Sequence, residues 1–132
     1  MAKILVTGGA GFIGSHACLS LIERGFEIIV VDSFINSCPE SLERVSQICL
    51  KNGILKKGFI RYKKFDLRDE NMLDDLFASE KKDGQSIEGV IHFAGLKSVA
   101  ESVAYPLKYW DVNLKSTLNI LRKMEKYNCK TI

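Results

Sequence analysis

Three glycines spaced three residues apart, Gly8, Gly11 and Gly14, separate a short apolar run from a stretch of helical periodicity. The run at residues 3–7 is β-prone, and apolar side chains within residues 13–22 recur at the spacing of one helix face. When a strand turns sharply into a helix, the helix lies close to the end of the strand. Side chains at the turn would collide there, so glycines are needed. This feature favours a strand–turn–helix unit of an α/β sheet.

The same alternation of strand and helix continues along the chain. The second strand candidate is apolar on both faces, as in a parallel sheet covered by helices. Strands are predicted at residues 3–7, 27–31, 59–65 and 89–93, and helices at residues 13–22, 42–49, 72–77 and 107–124. The order predicts an α/β fold with a parallel sheet and helices on both faces. Ser37 and Glu40 resemble a capping box for the second helix, and Gly25 is a natural end for the first.

Composition excludes several other classes of protein. The chain is 46% hydrophobic and 27% charged with a net charge of +3, and its basic residues are dispersed, so no nucleic-acid partner is predicted. No apolar run approaches the roughly 20 residues of a membrane span, and no signal peptide is evident. We therefore expect a cytoplasmic protein. The four cysteines lack a Cys-x-x-Cys pair, so neither a metal site nor a disulfide is predicted.

The glycines and the next strand end together suggest a dinucleotide. Gly8 permits the tight turn, Gly11 lets the backbone approach a pyrophosphate, and Gly14 allows close helix packing. Asp32 ends the second strand, where a carboxylate accepts hydrogen bonds from an adenosine ribose and repels a 2′-phosphate. Ser33 adds no positive charge, so the pattern predicts NAD rather than NADP. A glycine-rich turn without a ligand is the alternative.

Four stretches carry a more specific pattern: residues 7–16, 31–37, 92–102 and 109–113. They resemble the extended short-chain dehydrogenase/reductase family, in its sugar-nucleotide-modifying branch. The run Phe-Ala-Gly-Leu-Lys at residues 93–97 is the most discriminating and is similar to that of the UDP-hexose 4-epimerases. The resemblance covers the whole chain and implies a Rossmann-type fold. Residues 1–132 are then expected to be the N-terminal part of an NAD-binding domain, truncated at the start of the fifth strand, with the substrate domain absent.

The resemblance also implies roles for individual residues. The backbone N–H groups of Phe12 and Ile13 would face the pyrophosphate, and Asp32 would hold the adenosine ribose. Asp66 and the backbone of Leu67 would contact the adenine. The complete set of cofactor-binding residues implied in this way is Gly8, Gly11, Phe12, Ile13, Gly14, Asp32, Ser33, Asn36, Ser37, Asp66, Leu67, Phe93, Ala94, Gly95, Lys97 and Asn113.

Several members of that set have alternative interpretations. Asn36 and Ser37 are placed near the ribose, Lys97 at the ribose and phosphate region, and Asn113 facing the active site. Asp66 could instead be a strand-ending turn residue, Lys97 a surface lysine, and Asn113 a helix–loop hydrogen-bonding residue.

Two features outside that set are predicted to be structural. His92 lies within an apolar strand, where a core histidine with satisfied hydrogen bonds is expected rather than a catalyst. Trp110 and the leucines of residues 107–124 are expected to be core residues at helical spacing.

The family activity implied is the NAD-dependent interconversion of UDP-glucose and UDP-galactose at C4 through a 4-keto sugar. It needs a Tyr with a Lys four residues later, and none of Tyr62, Tyr105, Tyr109 and Tyr127 has one. We therefore assign no catalytic residue and expect this chain alone to be inactive. The complete enzyme would take a UDP-sugar and form a homodimer. The alternatives are another nucleotide-sugar dehydratase or epimerase, and a truncated, non-catalytic NAD-binding module.

Overall fold

The structure, a computed structural model, describes residues 2–54 and 60–132. The strands are β1 (Lys3–Thr7), β2 (Glu27–Asp32), β3 (Arg61–Lys64) and β4 (Ile87–His92). The helices are α1 (Phe12–Glu23), α2 (Glu40–Lys51), α3 (Glu70–Lys82), α4 (Val99–Ala104), α5 (Pro106–Tyr109) and α6 (Lys115–Lys126), and a π-helical turn (Trp110–Leu114) joins α5 to α6. The predicted third strand begins with Phe59, which lies outside the described residues.

Within the described residues, the four strands form one sheet in the order β3-β2-β1-β4, and every pairing is parallel. This confirms the predicted α/β architecture. Beyond β4, Gly89 makes a parallel bridge to Thr131, and the Val90 N–H donates to the Thr131 carbonyl at 2.9 Å. Because the strands are parallel, their carboxyl ends meet along one edge, where ligands bind in open α/β sheets.

Side chains that alternate along the strands divide the core between the two faces of the sheet. Leu5 packs with the buried faces of α3 and α6, whereas Val6 packs with those of α1 and α2. Strand β2 contributes buried residues to both clusters in the same way, which explains why its residues 28–31 are all apolar. The sheet is therefore covered by helices on both faces, as predicted.

Helix ends follow the sequence in some places and depart from it in others. Gly25 follows the C-cap residue of α1, Arg24, and adopts a φ of 85°, as expected of a helix-terminating glycine. The predicted capping box at Ser37 and Glu40 is wrong, because α2 begins after Pro39 without a side-chain cap. The Ser37 hydroxyl instead donates to Asp32 Oδ1 at 2.9 Å. The Ser37 hydroxyl, which was expected to cap α2, is therefore bonded to the buried carboxylate of Asp32.

The single long helix expected at residues 107–124 is divided into α5, the π-helical turn and α6, with α4 before it. The expected core stripe is also wrong, since Trp110 is 65% exposed and Leu107 is 82% exposed. The side of α6 that meets the sheet carries Ser116, Asn119, Ile120 and Met124 instead. Helical spacing identified the apolar stripe but not the side of the helix that the sheet covers.

At the amino end of the sheet, a buried ion pair between Lys3 and Glu80 is extended by the partly exposed Arg61. Lys3 and Glu80 are each 3% exposed, and their Nζ and Oε2 atoms lie 2.7 Å apart. Arg61 donates to both Glu80 oxygens at 3.1 Å and to Glu27 at 2.7 Å. Burial alone would raise the pKa of Glu80, but its bonds to Lys3 and Arg61 lower that pKa overall. The network ties α3 to the starts of β1, β2 and β3.

Candidate cofactor-binding site

An open cavity of about 410 Å³ lies beyond the carboxyl ends of the strands. Most of the predicted cofactor residues line it: Gly8, Gly11, Phe12, Asp32, Ser33, Asn36, Ser37, Asp66, Leu67, Phe93, Ala94, Gly95 and Lys97. The lining residues that the sequence did not identify are Val31, Ile35, Phe65, Arg68, Leu96, Lys108, Val112 and Ser116. Ile13, Gly14 and Asn113 lie outside the lining.

The glycine turn is held by backbone contacts that exclude side chains. Gly8 has a φ of 66°, and its N–H donates to the Val31 carbonyl at 2.8 Å. A Cβ at Gly8 would lie 2.6 Å from the Ala94 backbone nitrogen. A Cβ at Gly14 would lie 2.2 Å from the Gly8 carbonyl oxygen, so the first turn of α1 rests directly on the glycine turn. Gly14 therefore shapes the site from behind, although it does not line the cavity.

The first turn of α1 is available to an anion. Gly11 is the N-cap and provides no side-chain hydrogen bond, and the first turn contains no acidic residue. The N–H groups of Phe12, Ile13 and Gly14 have no acceptor within the helix, and the helix dipole is positive at this end. An N-terminus of this kind suits a phosphate group.

Asp32 is 8% exposed and organises the loops around it. Its Oδ2 accepts the Ala10 N–H at 3.0 Å, and its Oδ1 accepts the Phe34 N–H and the Ser37 hydroxyl, each at 2.9 Å. On the other side of the turn, the Ser41 hydroxyl donates to the Ala10 carbonyl at 2.8 Å. The glycine turn is thus fixed by Asp32 and Ser41 before any ligand is present.

Asp66 follows β3 and forms an ion pair with Arg68, whose Nη2 lies 2.7 Å from Asp66 Oδ2. The Arg68 hydrogen bond holds the pKa of Asp66 below its ordinary value, so the carboxylate is charged at neutral pH. The Arg68 backbone N–H also donates to Asp66 Oδ1 at 2.9 Å, which is a local turn bond. Asp66 therefore both shapes the turn and faces the cavity.

His92 is a half-buried histidine with both ring nitrogens hydrogen-bonded, in keeping with the structural role predicted for it. Its Nδ1 pairs with the Thr7 hydroxyl, and its Nε2 lies 3.1 Å from the Thr117 hydroxyl oxygen. Since the Thr117 hydroxyl donates to the Asn113 carbonyl at 2.8 Å, the consistent assignment is a neutral ring with its proton on Nε2. Burial lowers the pKa of His92, which favours that neutral form.

Asn113 holds the loop that follows β4. Its Oδ1 accepts the Leu96 N–H at 2.8 Å, and its Nδ2 donates to the Leu96 carbonyl at 3.0 Å. These contacts support the interpretation of Asn113 as a helix–loop hydrogen-bonding residue rather than as a residue that faces the cavity. The clamp fixes the backbone beside Lys97, an exposed lysine that lines the cavity.

Other kinds of site are not found in the part of the chain that the structure describes. Within residues 2–54 and 60–132, no group of three or more His, Cys, Asp or Glu side chains could hold a metal ion. The same residues contain no helix that is long and apolar enough to cross a membrane. Cys18, Cys49 and Cys129 are buried and Cys38 is exposed, and all four are free thiols. Burial raises the pKa of the Cys18 thiol to about 12.

Comparison with known proteins agrees with this geometry. The chain is 47% identical over 129 residues to UDP-glucose 4-epimerase of Bacillus subtilis (strain 168), covering 98% of this chain and 34% of that protein. It is 44% identical over 131 residues to UDP-glucose 4-epimerase 3 of Oryza sativa subsp. japonica, covering 99% of this chain and 33% of the relative. The chain therefore spans about one third of the length of the curated relatives it matches.

Solved structures show the same fold. The crystal structure of UDP-glucose 4-epimerase from Bifidobacterium longum in complex with NAD+ and UDP superposes with a TM-score of 0.85 at 45% identity, covering 98% of this chain and 35% of that one. The Thermus thermophilus UDP-glucose 4-epimerase complex with NAD gives 0.78 at 32% identity, covering 97% and 35%. The model of the NAD dependent epimerase/dehydratase family matches residues 4–132. The chain therefore belongs to the NAD dependent epimerase/dehydratase family.

Proposed function

We propose that this chain binds NAD in the cavity at the carboxyl ends of the strands. The observation that carries the proposal is the joint position of three groups around one cavity: the uncapped first turn of α1, the buried Asp32 and the charged Asp66. The first turn of α1 suits a pyrophosphate, Asp32 suits a ribose, and Asp66 suits an adenine. The first turn donates N–H groups, and the two carboxylates accept hydrogen bonds.

The choice of NAD over NADP rests on Asp32. Its oxygens accept bonds from Ala10, Phe34 and Ser37, which hold the carboxylate in a fixed position. Oδ2 accepts only the Ala10 N–H and so retains acceptor capacity for a ribose hydroxyl. A 2′-phosphate would meet this buried negative charge, and neighbouring Ser33 offers no cation. NADP should therefore bind more weakly.

We further propose that residues 1–132 supply the cofactor-holding part of a UDP-hexose 4-epimerase. Bound NAD would supply the hydride acceptor for oxidation at the sugar C4. The residues of this chain would bind the cofactor and orient its nicotinamide end through the loop that Asn113 clamps. The Tyr and Lys pair that the family uses for proton transfer does not occur in this sequence, so proton transfer is not assigned to it.

Calorimetric titration with NAD and NADP, followed by an assay of UDP-galactose conversion, tests this proposal. We expect one NAD per chain, weaker binding of NADP and no conversion by the chain alone. Absence of NAD binding would refute the assignment of the cavity as an NAD site. Measurable conversion would show that residues other than a Tyr-Lys pair move the proton.

We also propose that the exposed apolar stripe on α5 to α6 pairs with a second copy of the chain. Leu114, Leu118 and Leu121 are each more than 40% exposed and continue the line of Leu107 and Trp110. Exposed rows of this kind mark interaction surfaces, and identical helices can pack across a two-fold axis. Sedimentation should show a dimer that Leu118→Glu dissociates, while a monomeric wild type would exclude this pairing.

The free cysteines support placing the protein in the reducing cytoplasm.

A further inference from the structure

Arg68 connects the adenine side of the cavity to the π-helical turn. Its Nε lies 3.1 and 3.2 Å from the two oxygens of Asp66, and its Nη2 lies 2.7 Å from Oδ2. Its remaining arm, Nη1, donates to Asp111 Oδ2 at 2.6 Å. A planar guanidinium with several fixed donors determines the orientation of a carboxylate, which a lysine ammonium does not.

The backbone of the same loop is held by the helix that follows the π-helical turn. Asn119 is 1% exposed, and its Nδ2 donates to the Leu67 carbonyl at 3.0 Å and to the Arg68 carbonyl at 3.3 Å. Both the backbone and the side chain of Arg68 are thus attached to the same helical segment. The Asp66 carboxylate is bonded both to the guanidinium and to the backbone N–H of this attached arginine.

We propose that Arg68 is a positioning residue that makes the cavity selective for adenine over a 6-oxopurine. The inference rests on the proposed function, in which Asp66 contacts the adenine. Held by Arg68 and anchored on Asp111, the Asp66 carboxylate accepts a hydrogen bond from a 6-amino group and repels a 6-oxo group. Arg68 directs three N–H groups, those of its backbone, Nε and Nη2, at the carboxylate, which has about four acceptor positions, so one position remains for the base.

The test compares the binding of NAD and nicotinamide hypoxanthine dinucleotide to the chain by calorimetry. The wild type should prefer NAD by about tenfold or more, the loss expected when a hydrogen bond to a charged group is removed. Asp66→Asn should lose this preference. Arg68→Lys should lose most of it, and Asp111→Asn should lose part of it. Arg122→Lys changes an exposed arginine paired with Glu70 and should retain the full preference.

The outcomes separate this inference from the proposed function. If Arg68→Lys and Asp111→Asn keep the wild-type ratio while Asp66→Asn loses it, Arg68 is not a positioning residue, although the adenine site stands. If Asp66→Asn also keeps the ratio, the adenine does not meet Asp66 and the proposed site itself fails. Should Arg68→Lys not fold, Asp111→Asn decides, because Asp111 is an exposed residue whose loss spares the core.

Discussion

The two ends of the sheet use charged side chains in opposite ways. At the amino end, Lys3 and Glu80 are buried against each other and bonded within the protein. At the carboxyl end, Asp32 and Asp66 are also held by hydrogen bonds, but they border an open cavity. The comparison shows that the same interaction can close one end of a sheet and prepare the other for a ligand. We expect stability to depend most on the first end and binding most on the second.

Glu80→Ala should produce the largest effect on stability. It leaves the buried Lys3 ammonium without its closest partner, and removing one member of a buried ion pair costs about 3–5 kcal/mol. Denaturant unfolding measures the loss. Glu70→Ala on the same helix breaks only an exposed pair with Arg122 and should cost at most about 1 kcal/mol. Equal losses in the two variants would contradict the role given to burial.

Gly14→Ala should damage both stability and binding. The new methyl group would meet the Gly8 carbonyl oxygen at 2.2 Å, so the helix must move away from the glycine turn. Such overpacking costs about 1–3 kcal/mol, and the displaced turn should bind NAD poorly. Gly25→Ala is the matched control, because nothing lies near that position and only its φ of 85° is unfavourable. It should lose about 1–2 kcal/mol of stability with NAD affinity unchanged.

Asp32→Ala should weaken NAD binding by about 1–3 kcal/mol, because ribose hydroxyls lose an acceptor and Ala10 loses its partner. Calorimetry of the variant measures this change. Asp69→Ala is a suitable comparison, since Asp69 also accepts two backbone N–H groups but caps α3 away from the cavity. It should reduce stability by about 1 kcal/mol and leave NAD affinity intact. Unchanged affinity in Asp32→Ala would remove Asp32 from the site.

The smallest expected effect is a pH dependence through His92. Burial lowers its pKa from 6.5, so the unfolded chain takes up a proton at a higher pH than the folded chain. The free energy of unfolding is therefore unaffected by His92 above pH 6.5. It decreases as the pH falls from 6.5 toward the lower pKa of His92 in the folded chain. The slope in that window is at most about 1.4 kcal/mol per pH unit. His92→Gln should remove this slope from the plot of the free energy of unfolding against pH. An identical slope in the variant would show that a group other than His92 takes up the proton.

The sequence predicted the fold well because its signals are local. The apolar run of β1, the glycine turn and Asp32 at the end of β2 are each local features of neighbouring elements. Arg68 was missed, although it stands two residues after Asp66, because its partner Asp111 is distant in sequence. The stripe that includes Trp110 was assigned to the core because periodicity does not distinguish a helix face covered by a sheet from one that is exposed. Contacts between distant segments decide such cases.

Backbone amide NMR during an NAD titration tests whether NAD binds at the carboxyl end of the sheet while the amino end stays closed. We expect saturable shifts at Ala10 in the glycine turn, at Phe12 and Ile13 in the first turn of α1, and at Leu67 after β3. We expect no comparable shifts at the amino-end residues Lys3, Glu27 and Arg61. Unchanged spectra at saturating NAD, or shifts centred on the amino end, would contradict this expectation.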